Sequence, residues 1–190
     1  KCKKKIVWYD NIPLISYFLL RGKCRKCKKK ISGQYALVEF ISILSFLIVY
    51  YLYGISLTSV LLMILSLSFI IIFFIDLKHF IIPNVLTFSM MALGFVKSFD
   101  PNLNPMFPNY INSLIGGIFG YGIIWSIIFF YKQIRKKEGM GLGDAKLFAV
   151  IGFWFGWISI PFIIFLSSVI ALIRVAPDLM KNSKKMSTQI

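Results

Sequence analysis

Long apolar runs separated by short polar or basic connectors dominate the 190-residue chain. Taking about 20 apolar residues as the length that crosses a bilayer core, the pattern predicts helices over residues 36–53, 57–75, 83–98, 110–131, 145–158 and 159–174. The last two would also fit one tilted helix, but Gly156 and Pro161 interrupt the run and favour a break. The expected fold class is an all-α polytopic integral membrane protein with about six transmembrane helices.

Composition and charge set the orientation. The chain is 58% hydrophobic yet carries a formal net charge of +15. A soluble domain of this size tolerates that pairing poorly, whereas a multi-spanning protein turns apolar faces to the lipid bilayer and keeps basic residues in loops. The charge therefore does not point to nucleic acid. Residues 1–35, the turn holding Lys78, the loop from Lys132 to Lys146 and the segment from Arg174 contain all but one of the 22 Lys and Arg residues. With six spans these four regions share one face, and basic loops stay cytoplasmic. Both chain ends are expected in the cytoplasm, and FDPNLNPMFPN (Phe99 to Asn109), which has three prolines and no Lys or Arg, on the opposite face with Lys97 near it. A single helix over 145–173 would put the basic tail on the wrong side. The opening KCKKKIVWYD lacks the short basic tip and apolar core of a cleavable signal peptide. Three regions follow: a cytoplasmic cysteine module over 1–35, a transmembrane domain over 36–174 and a cytoplasmic basic tail over 175–190.

Cys2, Cys24 and Cys27 all lie in the basic N-terminal region. A reducing cytoplasm disfavours a structural disulfide. CRKC instead supplies the Cys-x2-Cys pair that grips one zinc ion, and a closed tetrahedral site takes four ligands. Three cysteines leave one ligand short, so Cys2 is expected to be the second member of a first pair whose partner lies upstream of Lys1. The result would be a small zinc-ribbon-like module; thiols without metal in a basic loop are the alternative.

Most of the seven acidic residues have ordinary explanations. Asp10 sits in the cysteine module, Asp100 in the outer loop and Asp178 in the tail, while Glu39 lies one turn inside the first span, where it can snorkel. Asp76 and Asp144 differ. One follows the apolar run SFIIIFFI and the other precedes AKLFAVIGFWFGW, so the topology puts both at the cytoplasmic membrane boundary. A carboxylate there is costly unless solvated or paired, which makes it a functional candidate. The competing reading is structural: Asp144 caps the helix that follows it, and Asp76 ends its helix at the headgroup layer. Two carboxylates brought together share one proton, so one can activate water while the other protonates a carbonyl oxygen. That is peptide hydrolysis without metal or covalent nucleophile. His79 is the only histidine, has no clear nucleophile beside it, and reads as an interfacial residue. Glycines 139, 141 and 143 lack the x-x-G continuation of a dinucleotide fingerprint; they would let the backbone turn and approach a bound peptide. The apolar run after Asp144 rises about 21 Å against a hydrocarbon core of about 30 Å, which would draw the acid slightly into the membrane.

Three stretches, WYDNIPLISYFLLRGKCRKCKKKISGQYALVE, DLKHFIIPN and EGMGLGDAKLFAVIGFWFGW, carry a resemblance. They resemble the bacterial type 4 prepilin peptidases, aspartic proteases of the GxGD class that also methylate their product. The resemblance implies that Asp76 and Asp144 are the catalytic pair. Glu138, Gly141, Gly143 and Lys146 match the motif around the second aspartate, and Cys2, Cys24 and Cys27 match three of four cysteines in the family's cytoplasmic domain. It also implies cleavage after a glycine of the basic leader of prepilins and pseudopilins, on the cytoplasmic side of the bacterial inner membrane. Methyl transfer from S-adenosylmethionine to the new N-terminal residue would follow. By the family pattern a further membrane helix and the missing cysteine are expected ahead of Lys1, and another helix beyond Ile190. Two other classes compete: a non-catalytic membrane scaffold whose zinc module docks a partner, and an ion-coupled transporter. The clustering of both acids at one face weighs against the transporter.

Overall fold

The computed structural model describes residues 7–100, 103, 107–136 and 141–187. Among the described residues a 3-10 turn at Trp8–Asn11 precedes seven helices: α1 (Ile15–Leu19), α2 (Gly33–Tyr53), α3 (Leu57–His79), α4 (Asn84–Lys97), α5 (Tyr110–Arg135), α6 (Leu142–Phe155) and α7 (Ser159–Ser187). Helices α2 to α7 fall where the hydropathy pattern puts six spans. Four of them, α2, α3, α5 and α7 as far as Ala176, are long and apolar enough to cross a membrane. Helices α4 and α6 have 14 residues each, which is about 21 Å and short of the hydrocarbon thickness of about 30 Å.

Local chemistry sets the helix ends. The Ser32 side chain accepts from Gln34 N–H at the start of α2, and Ser56 and Ser59 form a reciprocal capping box on α3. Helix α3 runs one turn beyond the expected end at residue 75, because its hydrogen-bond ladder continues until Phe80 turns left-handed (φ 53°) and donates to Asp76 O. Hydropathy falls at Asp76, but the backbone does not stop there. The break between α6 and α7 lies at Gly156, whose φ of 80° and ψ of 176° are open essentially to glycine alone. Gly156→Ala is therefore expected to cost about 1–3 kcal/mol, read as a lowered midpoint of thermal unfolding in detergent. An unchanged midpoint would show that this break carries no backbone constraint.

The chain forms two compact units, Lys1–Phe80 and Ile81–Ile190. In the first, α2 packs along α3. The buried residues of the pair come from α3, including Leu65, Ile72 and Phe74, whereas α2 buries none and leaves an apolar face for lipid to cover. The N-terminal segment is tied to α2 by Leu14 N–H, which donates to Glu39 Oε2 at 2.9 Å.

In the second unit α6 is the enclosed helix, in contact with α4, α5 and α7. Its contact with α5 is backbone against backbone. A Cβ added at Gly116 would meet Gly152 O, one at Gly152 would meet Gly116 O, and one at Gly120 would meet Phe148 O. Small residues allow this approach, which in lipid supplies packing that hydrophobicity cannot. The far end of α6 is pinned by side chains of other helices, since Ser113 Oγ donates to Phe153 O at 2.7 Å and Lys97 Nζ to Trp154 O at 3.0 Å. These bonds satisfy carbonyls of the last turn that have no partner within the helix. Trp154 is fully buried and donates through Nε1 to Met90 O at 2.8 Å on α4.

Lys97, expected near the outer loop, is the last residue of α4. It is 4% exposed, bonded to α6, with its ammonium 3.6 Å from the centroid of the Phe107 ring. The one basic residue that breaks the orientation pattern has a structural partner.

Candidate active site

Asp76 belongs to the first unit and Asp144 to the second. Asp76 is exposed in the last turn of α3. The helix dipole is negative at that end, so backbone electrostatics disfavour a carboxylate in this turn. Lys78 and His79 share the turn and offset that cost in part. Ending the helix falls instead to the left-handed Phe80.

Asp144 lies in the first turn of α6, where the dipole favours negative charge. It is not the N-cap. Gly141 holds that position with φ −81°, and Asp144 N–H donates to Gly141 O at 3.1 Å. A Cβ added at Gly141 would stand 3.9 Å from Asp144 Oδ2, so the carboxylate reaches back over the glycine at the start of the helix.

Two of the three motif glycines, Gly141 and Gly143, lie among the described residues. Neither Gly141 nor Gly143 has positive φ, so neither makes a turn that needs glycine. Gly143 packs closely: an added Cβ would stand 3.0 Å from Ile82 Cβ and Cδ1, so Ile82 would have to give by a few tenths of an ångström. Two residues beyond Asp144, Lys146 Nζ donates to Asn84 Oδ1 at 2.6 Å and lies 5.6 Å from the Phe88 ring centroid. Ile82 and Asn84 belong to the stretch FIIPN, while Gly143 and Lys146 belong to GLGDAK. The second unit thus interlocks two of the three motif stretches through one steric contact and one hydrogen bond. Sequence reading singled out Gly143 and Lys146 but missed Ile82 and Asn84 as their partners. Such contacts between residues distant in sequence have no periodic signature. The glycines of α5 did have one: Gly116 and Gly120 form a G-x-x-x-G in an apolar helix.

Glu138 and Gly139 lie outside the described residues, as does Cys2. Cys24 and Cys27 sit on a tight loop in which Cys24 N–H donates to Lys29 O at 3.0 Å and Lys28 N–H to Cys24 O at 2.9 Å. Lys28, directly after the second cysteine, is left-handed (φ 54°). Cys24 is half-buried and Cys27 exposed. Among the described residues no group of three or more His, Cys, Asp or Glu side chains is placed to hold a metal ion.

In comparison with known proteins, residues 63–176 match the type IV leader peptidase family, and residues 1–53 match the bacterial peptidase A24 N-terminal domain. The chain belongs to the type IV leader peptidase family. Both aspartates fall inside the first match and all three cysteines inside the second. Several curated relatives bear the name prepilin leader peptidase/N-methyltransferase. That of Neisseria gonorrhoeae is 36% identical over 173 residues, covering 91% of this chain and 59% of the relative. That of Pseudomonas aeruginosa is 35% identical over 173 residues, covering 91% and 58%. That of Vibrio cholerae is 39% identical over 178 residues, covering 92% and 67%. The chain therefore spans about three fifths of the length of the first two, at 59% and 58%. No solved structure matches. Family membership and the apolar helices agree on a polytopic membrane protein, and neither the scaffold nor the transporter reading is favoured by the match.

Proposed function

We propose that the protein is a membrane-embedded aspartic endopeptidase that removes the basic leader of prepilins and pseudopilins after a glycine and then N-methylates the new terminus. The site faces the cytoplasm from the bacterial inner membrane. Asp76 and Asp144 carry the hydrolysis; this pairing comes from the motif match and from topology. The observation that carries the reading is the placement of Asp76 in the last turn of an apolar helix. The helix dipole disfavours a carboxylate there and a left-handed residue already ends the helix, so the structural explanation for this acid is weak.

In the proposed reaction the unprotonated aspartate takes a proton from water as the oxygen attacks the scissile carbonyl carbon, and the protonated one gives its proton to the carbonyl oxygen. Collapse of the tetrahedral intermediate, with a proton delivered to the leaving nitrogen, releases the leader and a new N-terminal amine. S-adenosylmethionine would supply the methyl group to that amine. The reading is tested by mixing membranes that contain the protein with a prepilin and following product mass. Removal of the leader and addition of one methyl group are expected; an intact prepilin would sink it.

The cysteine loop supports a second, structural role. Two thiols separated by two residues on one tight turn fit half of a tetrahedral zinc site, with Cys2 and a fourth ligand completing it. About one zinc per chain is expected by elemental analysis of the purified protein, falling several-fold in Cys24→Ser and Cys27→Ser. Protein without zinc before any substitution would refute the metal.

A further inference from the structure

Next to Asp76 the structure holds a cleft that the hydrolytic chemistry leaves unused. It lies within the first unit, has a volume of about 460 Å³, and opens between the first turns of α2 and the last turns of α3. That volume lies within the range of small-molecule sites, about 300–1,000 Å³. We propose that this cleft binds the methyl donor, a zwitterionic amino acid with a sulfonium centre, and that Glu39 holds its ammonium group. The inference rests on the methyltransferase part of the proposed function.

Charge complementarity carries the argument. From α2 the cleft takes Gln34, Tyr35 and Glu39; from α3 it takes Lys78 and His79. An acid thus stands on one wall and basic donors on the other, the pattern that an ammonium and a carboxylate on one carbon require. A newly cut peptide terminus presents the ammonium but no carboxylate beside it, so it would leave Lys78 and His79 unanswered. Glu39 is oriented for the task, because Leu14 N–H donates to its Oε2 at 2.9 Å and a carboxylate can accept further bonds. Tyr35, 63% exposed, offers a ring for a sulfonium or a purine, while buried Phe74 supplies an apolar wall. Ile75, Lys78 and His79 line the cleft, and Asp76 sits about 100° round the helix from Ile75. A donor held here lies one helix face away from the aspartate.

The test measures binding rather than turnover. Labelled S-adenosylmethionine, with S-adenosylhomocysteine as competitor, is titrated onto the purified protein in lipid nanodiscs of phosphatidylglycerol, with and without phosphatidylethanolamine. Glu39→Gln, which keeps an oxygen for Leu14 N–H and so spares the fold, is expected to weaken donor binding about tenfold or more. Tyr35→Ala, at an exposed position, is expected to weaken it several-fold. Donor affinity unchanged in both variants, or no donor binding by the unsubstituted protein, overturns the proposal. A zwitterionic lipid headgroup is the rival occupant; retained donor affinity together with lost phosphatidylethanolamine retention in Glu39→Gln also overturns it. Prepilin cleavage is scored separately, so failure of the peptidase reading shows as an uncut prepilin while donor binding is judged on its own.

Discussion

Asp144→Asn and Asp76→Asn should each lower prepilin cleavage by about a thousandfold or more, since each removes a titrating group that the other cannot replace. Stability should hardly follow. Asp144 lies in the first turn of α6, where a negative charge is worth about 0.3–1 kcal/mol against the dipole, so its neutral variant should lose about that much from the dipole. Asp76 lies in the last turn of α3, where the sign reverses, so Asp76→Asn should be neutral or slightly stabilising. A pair of variants that are folded and inactive, one of them no less stable than the parent, is hard to obtain from residues that only cap helices. The check is cleavage of a prepilin in membranes beside thermal unfolding of the same preparations in detergent. Retained cleavage in either variant would remove that aspartate from the catalytic pair, and a large loss of stability in Asp144→Asn would restore the capping explanation.

The other large effect is expected at Gly152→Leu, which should abolish accumulation of folded protein. Even a Cβ at 152 would collide with Gly116 O and come within 2.8 Å of Gly117 N, and these are backbone atoms that cannot rotate away. Overpacking costs about 1–3 kcal/mol when side chains can adjust; here whole helices must separate. The loss spreads, because α6 also carries the pins from Ser113 and Lys97 and holds Asp144 in its first turn. Gly122→Ala is the matched control: nothing lies within 4 Å of an added Cβ there, so it should be neutral or gain about 0.5–1 kcal/mol of helix propensity. Yield and unfolding midpoint in detergent report both variants. Equal behaviour of the two would show that the α5–α6 contact is not what holds α6 in place.

Much of this protein is legible along the chain. Six apolar runs became α2 to α7 because a bilayer demands that every backbone group be satisfied within its own segment, so hydropathy alone finds the helices. The break at Gly156 was visible because glycine is the residue that tolerates its conformation. The acids at 76 and 144 stood out because charge beside an apolar run is costly, and that cost depends only on local sequence.

What the linear pattern could not supply is which residues meet. Hydropathy marked Asp76 as the end of a helix that in fact continues to His79, since the ladder is ended by backbone conformation at Phe80. It placed Lys97 near the outer loop but did not show that this lysine caps a neighbouring helix at Trp154, 57 residues away in sequence. It set the motif glycines and Lys146 beside an acid but did not show that Ile82 packs closely against Gly143 or that Asn84 holds Lys146. Composition and periodicity act residue by residue or turn by turn, so the sequence by itself determined which segments are helices and which acids carry a cost. Only the tertiary structure decided how closely α5 and α6 approach, which side chains close the ends of α6, and that a cleft with opposite charges on its walls opens beside Asp76. Those outcomes depend on steric fit and hydrogen-bond satisfaction between residues that only folding brings together.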